Sequence, residues 1–177
     1  MIKKITSILL CSLIILGVTG CGNKAQTKTE DSAQVGVNKE NEKEKEIKLN
    51  EPFEVKRPDG DYNFTIKSVT KTDWWKKAKD NEDKTVVLLN LECENISFKS
   101  KNHNGVLLYD AFNLKDNNNY MLSQFSMSYD DVNSGSDEIP PNTKSKVSIP
   151  YVIDKDATSV SIEFIRGGIL KDIPITE

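Results

Sequence analysis

From residue 62 onward, apolar and polar side chains alternate with a period of two. Tyr62, Phe64 and Ile66 are apolar, and Asn63, Thr65 and Lys67 between them are polar. Successive strand residues point to opposite faces, so such a run suits a strand with one wet and one buried face. Val69 breaks the parity and predicts a bulge. Residues 85–93 (TVVLLNLEC) are nearly continuously apolar at first, the pattern of a central strand. Val87, Leu89, Leu91 and Cys93 share one face there, while Asn90, Glu92 and Glu94 turn the other face polar.

Further strands are expected over 106–115, 120–125, 147–153, 160–165 and 169–175. Turn residues separate them, notably the Asp-Asn run at 116–119 and the Pro-Pro-Asn loop at 139–143. One candidate helical turn, 73–79 with Asp73 as N-cap, lies between the first two full strands. Seven or so strands with short connections and no crossover helices predict an all-β fold. The expected architecture is an immunoglobulin-like antiparallel β-sandwich, with a closed barrel as the alternative.

The chain begins with an address. Lys3 and Lys4 precede an apolar run over 5–16 that is too short for an ordinary membrane span of about 20 residues. The run ends in Val18-Thr19-Gly20-Cys21, which resembles the lipobox of bacterial lipoproteins. That resemblance implies cleavage before Cys21, with a diacylglycerol and a fatty acyl chain such as palmitate on Cys21. Two acyl chains give a stable anchor where one is marginal. Residues 21–46 then form a charged linker with no aromatic residue, too poor in apolar groups to offset its ordering entropy. It is expected to be disordered, with a span of roughly 25–30 Å. The domain is expected over 47–177.

Composition removes several classes of function. The chain has one His and a net charge of −3, or −5 once Lys3 and Lys4 leave with the signal. No His-pair metal site is available, and the mild acidity argues against nucleic acid. Cys11 leaves with the signal and Cys21 is acylated, so Cys93 is the only remaining thiol and no intrachain disulfide can form.

A resemblance rests on four ordered cues. They are the 86–95 strand ending in Asn95, the hairpin Phe112-Asn113-Leu114-Lys115-Asp116 with Tyr120, the turn Ile139-Pro140-Pro141-Asn142, and the 147–153 strand. Over about 50–166 the chain resembles the immunoglobulin-like lipoprotein domains of bacteria grouped as a domain of unknown function. Asn117–Asn119 and Asn142 stand where that family has Gly, and Asn still tolerates positive φ. The resemblance implies a fold and transfers no catalytic residue.

Single residues add little chemistry. Cys93 reads as a buried small hydrophobe. His103 sits in a polar turn. Asp131, Asn133 and Asp137 alternate in an oxygen-rich loop and are candidate calcium ligands, but the EF-hand Gly and terminal Glu are missing. Trp74 and Trp75 are adjacent and surrounded by Lys, which makes them the candidate binding residues for a protein partner, a membrane interface or a cell-wall sugar. The expected function is a lipid-anchored, non-enzymatic binding module on the outer face of the cytoplasmic membrane, in a Gram-positive bacterium. It would use no cofactor beyond the lipid on Cys21. The alternative is a calcium or small-ligand sensor using the 130–138 loop.

Overall fold

The computed structural model describes residues 45–73, 83–126 and 133–177. Cys21, Trp74, Trp75 and Asp131 lie outside the described residues, as does the expected helical turn beyond Asp73. Eight strands are present: β1 (Phe53–Val55), β2 (Tyr62–Thr72), β3 (Lys84–Asn95), β4 (Phe112–Asp116), β5 (Ser123–Gln124), β6 (Thr143–Asp154), β7 (Ser159–Phe164) and β8 (Gly168–Thr176). They follow one path, β4-β7-β8-β2-β3-β6-β5, with β1 added beside β2. The fold is all-β and sandwich-like. One half is built on β4, β7 and β8, the other on β1, β2, β3, β5 and β6.

The expected bulge in β2 is there. Its register to β3 shifts between Ile66 and Ser68, leaving Lys67 as the extra, exposed residue. Inward parity therefore moves from Tyr62, Phe64 and Ile66 to Val69, and all four are buried. β3 turns Val87, Leu89, Leu91 and Cys93 into the core as the alternation requires. Val86 lies on the opposite face, in register with Thr72 and Val152, and is also fully buried. Cover on both faces at that end explains the unbroken apolar start of the strand.

Other expectations need correction. The strand expected over 106–115 is only β4. Before it, Val106 makes a lone bridge to Ile139 and Leu108 begins a turn. The return strand expected over 120–125 does not stay on β4. Met121 bridges Lys115, the Leu122 N–H donates to the Leu114 carbonyl at 2.9 Å, and the chain then crosses to pair Ser123 and Gln124 with β6. This crossing stitches together the two ends of the strand path. The pairing is also not antiparallel throughout, because β8 joins β2 in parallel at Val69–Ile175 and Thr70–Thr176. β1 is an addition to the expected set; it and the segment from Lys45 to Asn50 fill the wedge where β8 diverges from β2.

Rings from both halves meet in the core. Phe64 lies 5.1 Å from Phe112 and 4.9 Å from Phe164, and Phe53 lies 5.3 Å from Phe64. Edge-on and tilted pairs of this kind add about 0.5–1.5 kcal/mol each beyond their buried area. Where the crossing strand leaves β4, side chains replace the lost ladder. The Tyr151 hydroxyl donates to the Phe112 carbonyl at 3.0 Å, and Gln124 Nε2 donates to the Tyr109 carbonyl. Pro150 sits inside β6 without harm. Its carbonyl accepts from Phe125 N–H on the β5 side, so its missing N–H also faces away from β3.

Candidate functional site

Strand directions give the domain two distinct poles. The chain enters beside the start of β8, where Ile47 N–H donates to the Ile169 carbonyl and Ile169 N–H to the Lys45 carbonyl. The starts of β2, β4, β6 and β8 and the end of β3 share this proximal pole. The opposite, distal pole holds the ends of β2, β4, β6 and β8. β3 alone has 12 residues, about 36 Å between the poles.

The distal pole presents an exposed pair on a braced turn. Tyr120 is 68% and Met121 56% exposed. The buried Asp116 carboxylate holds the turn, its Oδ1 accepting from Asn118 N–H at 2.9 Å and Tyr120 N–H at 2.8 Å. Asn119 takes positive φ, as an Asn-rich turn allows, and Asn117 Oδ1 accepts from Thr158 N–H at 3.0 Å. An open hollow of about 720 Å³, lined by Asp83, Asp154, Lys155 and Asp156, lies at the same pole, and Lys84 pairs with Asp154 beside it. β2 ends at Thr72 and β3 begins at Lys84 at this pole; Trp74 and Trp75, between them in sequence, lie outside the described residues. Sequence reasoning missed Tyr120 and Met121 because the run they open looked like a full return strand. The signal was the Asn run before them, which marks a turn tip.

Toward the proximal pole, the outer face of β2, β3 and β6 is polar. A groove of about 470 Å³ runs over Asn63, Thr65, Glu92, Glu94, Lys144 and Lys146, with Pro52 at its side. Glu94 is held below its ordinary value by hydrogen bonds from Lys144, 3.2 Å away, and from Asn63 Nδ2 at 3.4 Å. Lys67 lies 3.4 Å from Glu92. One step along, Asn90 donates to Ser68 and Thr70 and accepts from Ser148 at 2.8 Å, tying three strands together.

The remaining candidate residues serve the fold. Asn133 Oδ1 accepts from Gly135 N–H at 2.8 Å and Asp137 N–H at 3.3 Å, and its Nδ2 reaches Ser145. That oxygen is engaged in shaping its loop. Among the described residues no cluster of three His, Cys, Asp or Glu is placed to hold a metal ion. Cys93 is 1% exposed, and burial pushes its thiol up to about 12, so it carries almost no thiolate at neutral pH. His103 Nδ1 lies 3.2 Å from Glu138 on the surface.

Two solved structures are similar. One is the proposed lipoprotein ycdA of Bacillus subtilis, 16% identical, covering 66% of this chain and 33% of its own, with a TM-score of 0.44. The chain thus spans about a third of that protein's length. The other is MPT63, a secreted protein of Mycobacterium tuberculosis, 14% identical, covering 69% of this chain and 92% of its own, with a TM-score of 0.48. No curated protein matches. The model of a family described as a domain of unknown function, DUF5067, matches residues 24–165, and the chain belongs to that family.

Proposed function

We propose that the protein is a lipid-anchored, non-enzymatic binding module on the outer face of the cytoplasmic membrane. Cys21 carries the lipid, the linker after it is the spacer as far as residue 44, and the β domain, which takes in Lys45 and Glu46 through their pairing with Ile169, does the binding. Kinship with immunoglobulin-like lipoprotein domains belongs to the same proposal. The observation that carries it is the polarity of the domain. The tether joins at the proximal pole, whereas the exposed Tyr120–Met121 pair projects from the distal one. A rigid aromatic held out on a braced turn loses little entropy when a partner covers it. Trp74 and Trp75, outside the described residues, stay candidate binding residues in this reading. A non-enzymatic role fits the use of the buried polar side chains Asn95, Asp116 and Tyr151, each of which binds backbone groups of the fold. The calcium alternative gains nothing from Asn133, whose oxygen already serves two amides.

The test has two arms. Metabolic labelling with a palmitate analogue should mark the wild-type protein, and Cys21→Ala should be unlabelled and released from membranes. Crosslinking on intact cells should capture one dominant protein with wild type and lose it with folded Tyr120→Ala/Met121→Ala and Trp74→Ala/Trp75→Ala variants. Capture by the Tyr120→Ala/Met121→Ala variant equal to wild type would remove the distal pole as the contact surface, and equal capture by the Trp variant would remove Trp74 and Trp75 as binding residues. Unlabelled wild type would remove the anchor.

A further inference from the structure

Asn104–Gly105 is the one Asn-Gly pair in the chain, and its two halves are held differently. Asn104 is exposed, and its carboxamide makes no hydrogen bond among the described residues. Its backbone N–H donates to Glu138 Oε2 at 3.1 Å, and the other oxygen of that carboxylate meets His103 Nδ1. Gly105 is buried against the neighbouring loop. A Cβ there would stand 2.3 Å from the Ile139 carbonyl oxygen, closer than any real contact, so this position cannot carry a side chain. A side chain after Asn is what ordinarily hinders attack of the next amide nitrogen on the carboxamide. The approach that demands Gly105 therefore also leaves Asn104 chemically open.

We propose that Asn104 is a site of spontaneous deamidation and isomerisation, restrained by Glu138. The Gly105 amide nitrogen attacks Asn104 Cγ. A C–N bond forms, and the attacking nitrogen's proton passes to the carboxamide nitrogen, which leaves as ammonia. A five-membered succinimide remains. Water adds to one of its two carbonyls and reopens the ring, giving either an aspartyl or an isoaspartyl linkage to Gly105. Water is the only co-reactant. Either product takes the charge of the full chain from −3 to −4.

The structure also gives the consequence. The new carboxylate lies beside Glu138, a like charge. The isoaspartyl form adds one methylene to the main chain between two fixed points. One is the Asn104 N–H on Glu138. The other is Val106, whose N–H and carbonyl exchange 3.0 Å bonds with Ile139. Ile139 is in turn bound by Asn95 Nδ2 at 2.7 Å. One of these contacts must open. Glu138 slows the reaction because it pins the backbone that has to rotate for the attack.

The test ages three samples side by side in mildly alkaline buffer: the protein purified intact from detergent-solubilised cells, its Glu138→Ala variant and a synthetic peptide of residues 101–107. Tandem mass spectrometry locates the amide-to-acid mass gain, and an isoaspartyl methyltransferase reports the isomer. The expected order of rates is peptide, then Glu138→Ala, then wild type, separated by several-fold, with Val106 and Ile139 amides losing hydrogen-exchange protection as conversion proceeds. Asn104 intact in the full chain after the peptide has converted would overturn the site. Equal rates with and without Glu138 would overturn the restraint. Because an unfolded Glu138→Ala would also react like the peptide, Glu138→Gln, which keeps an acceptor oxygen for the Asn104 N–H, is aged beside it and should stay near the wild-type rate; a Glu138→Gln as fast as Glu138→Ala would overturn the restraint.

Discussion

Replacing Asn95 should be the most damaging single polar substitution in this domain. Asn95 closes β3, and its side chain is 0% exposed. Its Nδ2 donates to the Phe98 carbonyl at 3.0 Å and the Ile139 carbonyl at 2.7 Å, and its Oδ1 accepts from Phe98 N–H at 2.8 Å. Its own carbonyl accepts from Asn142 N–H at 2.7 Å. One amide thus joins the loop after β3 to the loop before β6. Asn95→Ala removes three side-chain bonds and strands two buried backbone groups, the Phe98 N–H and carbonyl, since the Ile139 carbonyl keeps the Val106 N–H. Each net bond is worth about 1 kcal/mol, and each stranded group costs about 1–3 kcal/mol, so a loss of about 3–5 kcal/mol is expected after partial relaxation. Asn95→Asp keeps the shape and is the sharper probe. Its second oxygen would face two carbonyls, and a buried carboxylate would be far from water. At pH 7 it should lose at least as much as the Ala variant. Its folded pKa would be raised above the unfolded value of about 3.9. The stability of this variant is then greatest below that unfolded value and is lost as pH rises through the folded one. Urea unfolding of the two variants, followed by circular dichroism across pH, measures both effects. An Asp variant within about 0.5 kcal/mol of wild type at pH 7 would refute the reasoning.

Three further outcomes follow from the geometry. Tyr151→Phe removes the hydroxyl that satisfies Phe112 at the seam between the two halves, and a loss of about 1–2 kcal/mol in thermal unfolding is expected. An unchanged midpoint would mean water replaces it freely. The Cys93 thiol is raised from an ordinary 9 to about 12 by burial. Its contribution to stability is complete below pH 9 and lost as pH rises through about 12, and a thiol reagent at neutral pH should react only as fast as the domain opens. Rapid labelling of native protein would contradict the buried position. Gly60 has φ +120° and would place a Cβ 2.5 Å from the Phe98 Cα, so Gly60→Ala should cost about 1–3 kcal/mol or more by differential scanning calorimetry.

The fold was more legible than the site, and particular residues show why. Alternation is a local signal, read over neighbours two apart, so the cores of β2 and β3 and the bulge near Val69 could be taken from the sequence directly. The turns at Asn119 and Asn142 were equally local, since each needs one residue tolerant of positive φ. The crossing of 121–124 from β4 to β6 was not local. It depends on Tyr151 satisfying the Phe112 carbonyl at the start of β4 and Gln124 the Tyr109 carbonyl just before it, and Tyr151 lies 39 residues from Phe112. Nothing within the 120–125 run distinguishes a strand that stays from one that changes partner. The same limit hid Tyr120 and Met121. Their exposure follows from where the crossing begins, and their rigidity from a carboxylate, Asp116, that reads in sequence as an ordinary turn residue. Asp116 is therefore the residue on which the functional reading turns. If the turn exists only to connect two strands, its order is incidental and Asp116→Ala should cost stability alone. If it exists to hold an aromatic in place for a partner, loosening it with Tyr120 intact should weaken capture beyond what the lost stability explains. That comparison separates a connector from a contact surface.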